Sequence, residues 1–133
     1  MARKQKKSEK VPAVFVSITR YKGRKGINGK VLSAEDQSRG FWHIRNLKCA
    51  NAAKLLVAVN DGVIDGIWDI DCSKQWQNGY AGAIKNRTTE PQDENKYFCV
   101  VKGDCMAKRH LIGKKLNDVV GFSMCGPLRY GLI

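Results

Sequence analysis

The chain predicts one α+β domain preceded by a short basic arm, and three observations carry this reading. Dense β-branched and aromatic runs recur, with "AVFVSIT" at 13–19, "LLVAV" at 55–59 and "YFCVVKG" at 97–103 the clearest. Between them lie two stretches of helical character, 32–44 and 46–54. Ten basic residues against one acid give Met1 to Lys30 a balance of +9, leaving +3 of the chain's +12 to the other 103 residues. At 133 residues there is room for one core, so we divide the chain into an arm at 1–11 and a single domain at 12–133.

The arm, "MARKQKKSEKV", is charged and poor in apolar residues, which predicts disorder. A first strand follows at 13–19. "RYKGRKGINGK" at 20–30 reads as a flexible basic loop; its glycines follow neither the P-loop nor the G-x-G-x-x-G order. Ser33 is an N-cap, with Glu35 and Asp36 in the first turn of a helix that Gly40 ends, leaving Phe41 and Trp42 just beyond. In 46–54, Leu47, Ala50 and Ala52 or Ala53 give one buried stripe.

"LLVAV", "NDG" and "VIDGIWDI" form a β-hairpin, because Asp-Gly between β-rich runs is a strong turn signal. Alternation puts Ile64, Gly66, Trp68 and Ile70 on an apolar face, with Asp65, Asp69 and Asp71 on the other side. The carboxylates Asp61, Asp65, Asp69 and Asp71 fit no EF-hand loop, and Asp61 belongs to the turn. Residues 72–96 are polar, turn-rich and long for a connection, which favours a functional loop. A strand at 97–103, a helix or bend at 106–118 and a closing strand in "PLRYGLI" complete the order.

No apolar run reaches the ~18 residues of a membrane span, and no signal core follows the basic start, so the expected location is cytoplasmic. Five cysteines, an odd number without a C-x-x-C pair, read as buried free thiols, with neither metal nor cofactor expected. A basic arm on a near-neutral domain is the footprint of a polyanion binder, since each phosphate contact releases counterions; the alternative is a solubilising tail. His43 and His110 lie in no nucleophile or zinc pattern, and nothing demands an enzyme. Trp68 alternates with the apolar face, whereas Trp42 is flanked by Arg39, His43 and Arg45, and Trp76 sits in a polar loop. Rings at element ends beside basic donors suit base stacking; the alternative is that Trp42 and Trp76 cap the core.

The order "SRGFWHI", "AAKLLVAVNDGVIDGIWDI", a following Trp, "YFCVVKG", "LIGKKLND" and "GPLRYGLI" resembles the PUA-like superfamily, nearest its ASCH, EVE and YTH branch. The second half of the YTH signature is missing. The resemblance spans about 13–133 and implies a small β-barrel of about five to six strands with short helices at its rim. It also implies a nucleic-acid partner, RNA or DNA, with a modified or flipped base held between aromatic rings. Trp42 matches the first ring, and Trp76 or Trp68 stands for the second. The expected base pocket is Trp42, Trp76, Arg39, Arg129 and Tyr130, and the expected phosphate contacts are Arg20, Lys22, Arg24, Lys25 and Lys30. Two other functions are kept: a nucleic-acid hydrolase using Lys54, Asp65 or Tyr130, and a small interaction protein that blocks a nucleic-acid enzyme.

Overall fold

The computed structural model describes residues 9–19, 23–80, 82–84, 87 and 91–133. Arg20 and Lys22 of the expected phosphate contacts, and residues 1–8 of the arm, lie outside this set. Strands β1 (Pro12–Ser17), β2 (Leu55–Asn60), β3 (Val63–Ile70), β6 (Val101–Asp104) and β7 (Leu128–Leu132) make a mixed sheet in the order β6-β3-β2-β1-β7. β1 and β2 are parallel, and the other ladders are antiparallel. No ladder among the described residues joins β6 to β7, so no closed barrel is seen.

The parallel pair requires a long crossover, which carries α1 (Ala34–Ser38) and α2 (Leu47–Ala52). Ser33 caps α1 by accepting from the Asp36 N–H at 3.1 Å, and Asn46 caps α2 by accepting from the Cys49 N–H at 3.1 Å. α2 thus stops short of the expected 46–54, and Ala50 is its buried residue. The central strands read as continuous apolar runs because both faces of the sheet are covered. Val14, Val16, Leu56 and Ala58 pack with Trp42, Trp68 and Trp76. Phe15, Val57 and Val59 pack on the other side with Leu116 of α3 (Leu116–Val120).

This two-sided burial corrects the single apolar face expected for β3. Ala58 faces Gly66 but Val59 faces Ile64, so Asp65 is an extra, exposed residue in a β-bulge. The bulge resets the alternation: Ile64 and Ile67 join one core, Trp68 and Ile70 the other. The turn itself is as expected, with Asp61 at φ 52° and Gly62 at φ 79°, the signature of a type I′ hairpin.

"YFCVVKG" does not form one strand. Tyr97–Phe98 (β5) pairs with Gln77–Asn78 (β4) in a small second sheet, while β6 runs along β3. Tyr97 also bridges Trp42, exchanging backbone hydrogen bonds of 2.9 and 2.8 Å. The expected helix or bend at 106–118 is a 3-10 turn, Met106–Leu111, followed by the start of α3. The end of the arm is not loose: Val11 and Ile133 exchange backbone bonds of 2.7 and 3.0 Å. Cys99 and Cys105 are buried as expected, whereas Cys49, Cys72 and Cys125 are exposed. No helix of the described residues is long and apolar enough to cross a membrane.

Candidate functional site

The Trp42–Tyr97 bridge holds the segment after α1, which shares cavity walls with the residues that open β7. Between them opens a cleft of about 400 Å³, lined by Ser17, Phe41, Trp42, His43, Lys96 and Pro127. His43 and Pro127 also line a neighbouring lobe of about 380 Å³, with Arg45, Asn46, Leu128 and Tyr130. The two lobes therefore adjoin at the exposed His43 and at Pro127, and we call them together the groove. Its volume is in the range of ligand sites, and its wall mixes apolar rings with donors.

Trp42 borders this groove but exposes little of its side chain. It is 4% exposed, and its indole Nε1 donates to the Ser38 carbonyl at 2.7 Å. Trp76 is equally buried, donates from Nε1 to the Ala50 carbonyl at 3.0 Å, and lines neither lobe. Trp68 belongs to the same core. The pair of facing rings expected from the sequence is therefore not formed: each indole is worth more buried, with its N–H satisfied by backbone, than held out in water.

The other expected pocket residues separate. Arg39 donates from Nε to the Cys99 carbonyl at 3.0 Å and approaches Asp36 at 3.9 Å, so its charge serves the junction of α1 and β5. Arg129 lies over the Phe122 ring at 4.0 Å and donates to the Ser123 carbonyl at 3.1 Å; it pairs in register with Phe15, on the face away from the groove. Tyr130 does reach the groove and donates to the Asn46 carbonyl at 3.3 Å. Burial, with Cys49 adding to it, pushes its phenol up, so Tyr130 acts here as a neutral hydrogen-bonding group. Lys54, Asp65 and Tyr130 line three different cavities, so the expected hydrolase trio is not assembled.

The basic loop is more regular than expected. Lys25 bridges Val31, the Gly26 N–H donates to the Lys30 carbonyl at 2.8 Å, and the Leu32 N–H donates to the Arg24 carbonyl at 2.7 Å, closing a hairpin. It presents Lys25 and Lys30 to solvent. Phe41, Lys96 and Pro127 are groove residues that sequence reasoning missed. Lys96 comes from a segment far along the chain, held 3.7 Å from Asp93, and no local motif announces it.

Comparison of the chain with protein-family models, curated proteins and solved structures gives no match. Among the described residues no group of three His, Cys, Asp or Glu side chains could hold a metal ion. The hairpin carboxylates divide between the turn (Asp61), the bulge (Asp65) and the outer end of β3. Asp71 is held below the usual carboxylate range, chiefly by the Ser73 hydroxyl, with Lys74 and Lys102 adding to the effect.

Proposed function

We propose that the protein is a nucleic-acid-binding domain of PUA-like type that receives an unstacked base in the groove beside His43. The observation that carries this reading is the adjacency of the two lobes at His43 and Pro127, with Arg45 and Lys96 at the wall. A concave site with aromatic and apolar walls, an imidazole and two cations suits a base with its flanking phosphates. The parallel β1–β2 pair, its helical crossover and the β2–β3 hairpin support the PUA-like assignment. Phosphate contacts fall to Arg45, Lys96, Lys25 and Lys30, and to the basic arm, whose charge supplies affinity without sequence choice.

The test is binding of the full chain to single- and double-stranded RNA and DNA, with and without modified bases, at two salt concentrations. Arg45→Ala and Lys96→Ala are expected to weaken binding several-fold and to reduce the salt slope by about one each. His43→Ala is expected to reduce the preference between modified and plain strands with the slope unchanged. Parent-like binding by all three variants would remove the groove from the interface.

A further inference from the structure

We propose that the cavity walled by Lys54, Lys102 and Lys108 is a second ligand site, which takes a small phosphomonoester bearing hydroxyl or amino groups. This cavity, about 390 Å³, lies at the other end of β1 from the groove: Ser17 lines the groove, whereas Val11 lines this site. Its wall also holds Leu55, Ile70, Ala107 and one carboxylate, Asp69.

Lys108 makes the case. It is 9% exposed, and its ammonium donates to the Glu9 carbonyl at 3.0 Å. An ammonium has three donors, so that bond leaves two unused. Neither ion pair of the described residues involves Lys108, Lys54 or Lys102. Most of the Lys108 side chain is buried, and the residue borders an open cavity shared with two more cations. The wall sets three lysines against Asp69, and Asp71 beside Lys102 offsets one of them, so a net positive charge remains that a phosphomonoester would neutralise.

A bare phosphate would fill little of this volume, and it would leave the apolar floor of Val11, Leu55, Ile70 and Ala107 uncovered. Asp69 repels a phosphate but accepts from a hydroxyl or amine, so the ligand places its anionic end toward the lysines and a donor toward Asp69. The site is independent of the groove in residues and position.

The experiment is isothermal titration of the full chain with ribose 5-phosphate, adenosine 5′-monophosphate, inorganic phosphate and unphosphorylated ribose. Either organic phosphate is expected to bind more tightly than inorganic phosphate, and ribose not to bind. Lys54 and Lys102 are exposed, so the double variant Lys54→Ala/Lys102→Ala keeps the fold and is expected to weaken binding at least tenfold. Lys108→Met should abolish binding, and its melting temperature, recorded beside it, separates loss of the site from loss of the fold. Asp69→Asn should narrow the gap between ribose 5-phosphate and inorganic phosphate. Absence of binding at millimolar ligand, indifference to the double variant, or displacement of the sugar phosphate by a short single-stranded oligonucleotide at lower concentration would each overturn the proposal. The last result would assign these lysines to a nucleic-acid track.

Discussion

The indole of Trp42 donates to the carbonyl of Ser38 at 2.7 Å, which ties the first groove segment to the last residue of α1. Trp42→Phe keeps most of the ring and deletes the donor. It is expected to cost about 1–3 kcal/mol through the unpaired carbonyl, against about 3–5 kcal/mol for Trp42→Ala. Urea unfolding of the two variants checks this ordering. A Trp42→Phe variant as stable as the parent would mean that the hydrogen bond contributes nothing.

Gly66 lies under the Trp68 ring. A Cβ at this position would come within 2.4 Å of the ring atom Cη2. Gly66→Ala should therefore push the indole out of its place and destabilise by about 1–3 kcal/mol, with a shift in tryptophan emission. An unchanged urea midpoint would show that the ring has room to move.

The hairpin turn offers a paired test. Gly62→Ala forces a side chain onto φ 79° and should cost about 1 kcal/mol or more, whereas Asp61→Asn suits the same turn and should be neutral. Thermal melts of both variants would decide it.

Burial pushes the Cys99 thiol up to about 12, the Arg39 charge opposing it only in part. Well below pH 9 the thiol is protonated in both the folded and unfolded states. Above that, only the unfolded chain ionises, so stability falls between pH 9 and about 12, by at most about 1.4 kcal/mol per pH unit. Cys99→Ala should show a shallower decline over the same window. Parallel stability curves for parent and variant would refute the assignment.

Local signals carried most of the element list. Ser33 with its two following acids, the Asp-Gly turn and the apolar run at 55–59 each act over a few residues, and each appears where its chemistry requires. What escaped depends on partners distant in the chain. The bulge at Asp65 exists because β2 and β3 slip by one residue, which no alternation pattern reveals. The split of 97–104 follows from Tyr97 pairing with Trp42 while Val101 pairs with Ile70. The site was less legible for the same reason. Flanking donors and charge made Trp42 and Trp76 look like ligands, but backbone carbonyls of Ser38 and Ala50 satisfy both indoles inside the core. Arg129 and Tyr130, adjacent in sequence, fall on opposite faces of β7 because a strand alternates.

The place of β1 between β2 and β7 has a consequence for synthesis. Its ladder to β7 joins Pro12 to Leu132, so one edge of β1 stays bare until residues 128–132 have left the ribosome. The β2–β3 hairpin can form early from neighbours, whereas β1 is flanked on its second edge only by a strand more than a hundred residues away. A nascent chain stalled before residue 128 would expose one edge of an almost wholly apolar strand, and such chains are expected to aggregate or recruit chaperones.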